Sequence, residues 1–521
     1  MGLNESSKAA AIGVSVDNVA FAVAAENVPR KILIIGTYDP AKATVVDEVP
    51  VQVFSPEDAG DKFGFGFMVH RLALKAFIGS QGIPTFIQPQ SEAGGAVAAD
   101  GSIDFAGSAG VLAGTMYLYI AGDLVSIAVE DADTEDDLAT KTAAAINAIK
   151  ELPVTAAVDG VTTSQVNITA KSKGPEGNNI SIAFNLDVAQ ELPTGVVTAI
   201  VAMASGATNP DIQTALDGLG TGDDANEDFY TDVVHGYGPE AATLNKIRDY
   251  VGAGDTATGL YAKVVSRPFR ALTGDVTAGS AGLAALVALA DARKTDRANG
   301  VIAVPDSPSH PSEIAALAIG NMARLNQIRA AEHYVDVLLE GVWPGDKGSD
   351  RWTSDYDNRD IAVKGGISPT RVKSGSVYLQ NVVTFYRPDS VPVNSNGYRE
   401  MVNISKLQNM MNSMRVLFEQ EKWKGISIVT DIAKVTSTVD RTKARDIDSV
   451  KDDLVALYKA WNAKAWIADA QFSIDALKVA GSVVVRPAGD GFNMTTKAIL
   501  SGIGNIFDSV IEFDTSFALI Q

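Results

Sequence analysis

The chain contains no cysteine among its 521 residues. That excludes disulfides, thiolate nucleophiles, cysteine-ligated zinc and iron–sulfur clusters. Histidine is nearly as scarce, and the four present, His70, His235, His310 and His333, follow no H-E-x-x-H or comparable metal spacing. The apolar windows, such as residues 282–290, fall far short of the ~20 residues a membrane span needs. Residues 1–17 lack a basic stretch followed by an apolar core, so no signal peptide is expected. Gly60, Gly64 and Gly66 lead into no Lys-Ser or Lys-Thr, which rules out a phosphate-binding loop of that type. Basic residues are outnumbered 43 to 63, and the net charge of −20 opposes nucleic-acid binding, which needs clustered Lys and Arg. No metal or cofactor is expected.

What is present is an ordinary globular composition, 46% hydrophobic and 20% charged, long enough for three or four domains at roughly 150 residues each. The acidic excess is uneven. Residues 376–521 carry 16 basic and 16 acidic side chains, so the first 375 residues hold all of it. Such a neutral region can sit against a partner while the acidic remainder favours solvent.

Pattern along the chain predicts an α/β fold in four parts. Residues 1–28 form an extended arm in which Ile12, Val14 and Val16 alternate, followed by Val19, Phe21 and Val23. Residues 29–91 and 206–375 form one discontinuous α/β domain, opened by the strand K-I-L-I-I-G, a helix over 61–79 and a second strand from Ile83, the βαβ signature of a parallel sheet. Residues 92–205 are an inserted α+β domain, with a strand pair over 117–129, a helix over 134–152 and strands at 166–170 and 180–184. A strand is also predicted over 334–343. Residues 376–521 form an α+β domain with strands at 377–386, 482–486, 492–500 and 509–519 and helices over 398–420 and 447–463. On the last strand, Ile511, Phe513, Phe517 and Leu519 share a face.

The stretch V-I-A-V-P-D-S-P-S-H-P-S-E at 301–313 suggests a hydrolase. Asp39 at the end of the first strand, His70 on the next helix and Ser307 after a later strand follow the Asp, His, Ser chain order found in subtilisin. Their local settings oppose a triad. Ser307 and Ser309 precede prolines, and His70 is followed by Arg71 and Leu72. His70 also falls in the series Phe63, Phe67, His70, Leu74, Phe77, whose spacing predicts a packed core histidine. Ser312 reads as a helix N-cap with Glu313 in the first turn. The acidic run Asp131, Asp133, Glu135, Asp136, Asp137 lacks the glycine and terminal glutamate of a calcium loop and reads as a capped helix start.

The segment N-R-D-I-A-V-K-G-G-I-S-P-T-R-V at 358–372, running into S-G-S-V-Y-L-Q-N-V-V-T-F-Y-R-P-D at 374–389, resembles the junction in tail sheath proteins of contractile-tailed bacteriophages, particularly the Mu-like group. The resemblance implies a structural protein rather than an enzyme, with a central domain similar in fold to subtilisin but without a protease site. It also implies hexameric rings stacked around a tail tube, contraction that drives the tube through the host envelope, and contacts with tube, baseplate and tail terminator proteins. The corresponding location is the virion tail, assembled in host cytoplasm, with no membrane insertion. Sheaths of phage-tail-like bacteriocins and injection systems share these features.

A long terminal strand edge is an aggregation hazard unless another strand covers it. The arm supplies strands with no partner in their own domain. Together they predict exchange between subunits, with Ile12, Val14, Val16, Phe21 and Val23 of one copy meeting Ile511, Phe513, Phe517 and Leu519 of another.

Overall fold

The computed structural model describes residues 27–254, 257–387, 397–502 and 504. The strand-exchange residues Ile12, Val14, Val16, Phe21, Val23, Ile511, Phe513, Phe517 and Leu519 lie outside that range. The described chain divides into two compact units, residues 28–408 and residues 409–502 with Asn27.

In the larger unit, β1 (Ile32–Thr37) is an unbroken apolar run buried along its whole length, as a strand covered on both faces requires. β2 (Val51–Val53), α1 (Pro56–Phe63), α2 (Met68–Ser80) and β3 (Thr85–Gln90) follow. β3 returns parallel to β1, with Ile32 opposite Thr85, which gives the expected βαβ unit. The single helix expected over 61–79 is corrected to two. Gly64 and Gly66, at φ +99° and +80°, break it, and a Cβ on Gly64 would lie 2.3 Å from that of Asp39. Only glycine fits that close approach with positive φ.

The inserted segment builds β4 (Asp100–Asp104), β5 (Gly114–Ile120), β6 (Asp123–Val129), α3 (Glu135–Ala148), β7 (Val154–Val158), β8 (Gln165–Ala170), β9 (Ile182–Phe184) and β10 (Ala199–Ala204). These make two antiparallel sheets, in the orders β10-β4-β8-β7 and β6-β5-β9. The segment has its own apolar core, including Leu118, Ile127, Leu138, Ile146 and Ile168. At the start of α3, Thr134 Oγ1 accepts from the Asp137 amide, and the Asp137 carboxylate accepts from the Thr134 amide. The acidic run is therefore a capped helix start, with Lys141 paired to Glu130 and Asp133. Strand β4 lies within the Gly, Ala and Ser-rich stretch 91–114.

The chain then returns through α4 (Ile212–Gly218), β11 (Asp232–His235), α5 (Ala241–Val251), β12 (Arg270–Asp275), α6 (Gly279–Asp291), β13 (Asn299–Ala303), α7 (Pro311–Ile328), α8 (Tyr356–Lys364), β14 (Ser368–Lys373) and β15 (Ser376–Leu379). The central sheet runs β15-β14-β13-β12-β11-β1-β3-β2. Its inner neighbours are parallel, and β2 and β15 pair antiparallel at the two ends. Alternate residues of β1 feed opposite layers: Ile32 and Ile34 join Leu72 and Leu317, while Leu33 and Ile35 join Leu216 and Ile247. The strand expected over 334–343 is replaced by an irregular segment that bonds to β15 through a bridge at Leu338 and Tyr378. The strand expected over 377–386 ends at Leu379 and belongs to the central sheet. The compact units divide after Gln408.

Helix α9 (Met401–Glu419) contains that division. In the smaller unit, β16 (Ser427–Ile428) pairs parallel with β17 (Ala444–Arg445), and β18 (Val483–Val485) forms a hairpin with β19 (Phe492–Met494). Between them lie α10 (Thr438–Arg441), α11 (Ile447–Ala463) and α12 (Ala470–Lys478). Helix α11 buries Val450, Leu454, Leu457, Tyr458 and Trp461 at helical spacing, and Trp461 Nε1 donates to Ser413 Oγ at 2.8 Å. The protein is thus mixed α/β, with a largely parallel central sheet.

Candidate functional site

The three residues of the hydrolase reading have other partners. Asp39 Oδ1 accepts from the Ala41 amide at 2.9 Å, a local turn bond. His70 is buried on α2 and its Nδ1 accepts from the Gly66 amide at 3.0 Å. Burial, reinforced by the charges of Arg71 and Lys171, pushes the imidazole down to about 4, and Phe65 packs edge-on against it. Ser307 Oγ donates to the Trp343 carbonyl at 2.5 Å and accepts from the Ser309 amide. Ser309 Oγ in turn accepts from the Trp343 amide at 3.0 Å. The serines clasp the segment around Trp343, and no nucleophile–base pair is assembled from Asp39, His70 and Ser307.

That clasp is one end of a polar seam where the inserted segment meets the central layers. Trp343 Nε1 donates to the Gly122 carbonyl in the β5–β6 turn at 3.0 Å, and its ring packs edge-on against Tyr119. Ser181 Oγ donates to the Pro308 carbonyl. Met68, the first residue of α2, donates its amide to Ser172 Oγ at 2.9 Å. Lys171 reaches the carbonyls of Phe65 and Lys150, which seats the end of β8 in the turn made by Gly64 and Gly66.

At the centre of the seam, Arg71 forks onto Glu313, with Nε and Nη2 at 2.7 and 2.8 Å from the two carboxylate oxygens. Both side chains are about 95% buried. Arg71 also donates to the Glu151 carbonyl and pairs with Asp123, which Lys75 approaches from the other side. Against its burial, the charges of Arg71 and Lys75 hold Asp123 below the usual carboxylate range.

A second buried carboxylate, Glu176, lies in the 3-10 turn Pro175–Asn179. Its Oε2 accepts from Ser312 Oγ at 2.9 Å and its Oε1 from Asn179 Nδ2 at 3.3 Å, while its backbone carbonyl bonds His310 Nε2 at 3.0 Å. The expected N-cap at Ser312 is therefore corrected. His310 occupies the cap position, Pro311 begins α7, and Ser312 points its hydroxyl across the seam.

Arg71 and Glu313 were legible only as a helical arginine and a first-turn acid. Their pairing spans 242 positions, and no local spacing signals it. Glu176 sits in a Gly-Pro-Glu-Gly-Asn-Asn stretch that reads as a turn. What this arrangement does is mechanical: it joins two separately cored layers through buried charge and directional bonds. Among the described residues no group of three metal-ligating side chains is found, and no helix is long and apolar enough to cross a membrane.

No family model matches the chain. Among curated proteins, the Mu-like prophage FluMu tail sheath protein of Haemophilus influenzae is 26% identical over 399 residues, covering 75% of each chain. Among solved structures, the sheath tail protein of Desulfitobacterium hafniense aligns at 9% identity over 94% of this chain and 96% of its own, with a TM-score of 0.43. The helical sheath of the anti-feeding prophage in its contracted state aligns at 11% identity over 98% and 100%, with a TM-score of 0.39. The resemblance first met at residues 358–389 thus extends over 75% of the sequence, across which the chain is similar to a Mu-like prophage tail sheath protein.

Proposed function

We propose that this chain is the structural subunit of a contractile sheath, polymerising as hexameric rings stacked around a tail tube and contracting to drive that tube through a host envelope. The observation that carries the reading is the sheath relative matched over 75% of the chain. The central sheet serves as the subtilisin-like scaffold of such subunits, and the Asp39, His70, Ser307 order is a trace of topology rather than of chemistry. The neutral C-terminal region, with basic residues such as Lys434, Lys443 and Arg445, suits an inward surface against an acidic tube, while the acidic remainder keeps a large assembly soluble. Baseplate and tail terminator proteins would cap the two ends. Contraction needs two packings of nearly rigid subunits that differ modestly in energy and are summed over many copies, with connected arms. A sheath of an injection system or phage-tail-like bacteriocin obeys the same physics.

The linkage between copies is the strand exchange of residues 1–25 with the strand at 509–519. Deleting residues 1–25 is expected to leave the melting temperature almost unchanged while abolishing long polymers. Phe513→Pro removes a ladder donor in mid-strand and should act the same way from the other end. Sedimentation velocity at matched concentration compares both with the parent chain. Normal polymers from the arm deletion contradict the exchange, and a deletion variant that melts far below the parent would assign the arm to its own subunit.

A further inference from the structure

The two buried carboxylates of the seam are built differently. Glu313 has the Arg71 fork, whereas Glu176, 6% exposed, forms no ion pair among the described residues and is held only by neutral donors, Ser312 and Asn179. Its carboxylate is wedged against the backbone after β11, where a Cβ on Gly238 would lie 2.2 Å from Oε1. A cavity of about 40 Å³ adjoins it, lined in part by Met68, Leu72 and Ile180, enough to admit water, which needs ~10 to 15 Å³.

The charged and titratable neighbours are few. His310 faces Glu176 from the approach to α7 and favours the ionised form, and Asp275 at the end of β12 disfavours it. Arg71 also lines the cavity, but its guanidinium is engaged by Glu313 and Asp123. The uncapped start of α7 favours negative charge, but burial outweighs these and pushes the Glu176 carboxyl above the usual glutamate range.

We propose that Glu176 is a proton-controlled latch: when neutral it seats the inserted segment against the start of α7, and when ionised it loosens that contact. The proton leaves to solvent through the opened cavity, and no other bond changes. Because the seated carboxyl holds its proton more tightly than the opened one, the latch is strongest below the ordinary glutamate value of about 4.3. Opening then rises by up to tenfold per pH unit until the raised value is reached, and levels off above it. Asp123 responds in the opposite sense: its contribution is lost only as pH falls below the ordinary carboxylate range, so the two windows separate.

Hydrogen–deuterium exchange of the full chain, with rates corrected for intrinsic pH dependence, reads this directly in peptides covering 173–181 and 306–314. From about pH 4 to 8, these peptides should lose protection, while peptides from β1 and β3 stay constant. Glu176→Gln, which stays neutral and fits the same space, should keep the low-pH protection throughout. Ser312→Ala removes a donor that favours the charged form and should move the transition to higher pH. Parallel pH dependence in the parent and Glu176→Gln, no pH dependence in the parent, or opening of Glu176→Gln at every pH would each overturn the proposal. The latch does not depend on the sheath reading, since the measurement concerns one subunit.

Discussion

Asp232→Ala is expected to destabilise the larger unit by about 3 to 5 kcal/mol, the usual cost of removing one partner of a buried ion pair. Asp232 lies on β11 in the middle of the central sheet, fully buried. Its Oδ1 accepts from Arg270 Nε at 2.5 Å on the adjacent β12, Thr231 Oγ1 donates to its Oδ2, and Arg30 approaches at 3.8 Å. Both guanidinium groups are fully buried, and burial already pulls Arg30 down to about 10, with Arg270 adding repulsion and Asp232 opposing. Truncation at 232 leaves two cations together in a low-dielectric layer with no anion between them. Asp232→Asn keeps an acceptor for Arg270 but not the charge, so it should retain only part of the loss. Urea unfolding followed by circular dichroism measures both as shifts in midpoint at constant slope.

Arg71→Leu is expected to cost a similar amount, about 3 to 5 kcal/mol, for the mirror-image reason. It strands Glu313 inside the seam with Lys75 at 3.7 Å as its remaining cation, and it removes the bonds to Asp123 and the Glu151 carbonyl. The double variant Arg71→Leu, Glu313→Leu should recover most of the loss, because apolar residues of similar volume often replace a buried pair at little net cost. Failure of the double variant to recover would mean that the bonds to the inserted segment, rather than the stranded charge, dominate.

Neither cluster is written in the local pattern of the sequence. The apolar run of β1 and the helical stripe of Leu454, Leu457 and Trp461 were legible because burial was written in the local period. The start of α3 was legible because a capping box is a contact over three positions. Strand β12 was not, because Arg270 at its start reads as solvent-facing, and the Asp232 that neutralises it lies 38 positions away. The break between α1 and α2 was hidden by the apolar spacing of Phe63, Phe67 and His70, which continues through Gly64 and Gly66 although the backbone does not. A strand was expected over 334–343, yet only an isolated bridge to β15 forms, since a local pattern does not specify a pairing partner. The seam follows the same rule: Lys171, Glu176 and Ser181 each bond a residue more than 100 positions distant.

On the proposed reading this chain is a self-assembling sheath subunit and its α/β domain is a structural scaffold. Negative-stain electron microscopy of the purified full-length protein over a range of concentrations tests it most directly. Rings and tubes of one uniform outer diameter with six-fold end views are expected, built from this chain alone or on addition of tail tube protein. Discrete monomers at every concentration, with and without the tube protein, would contradict it.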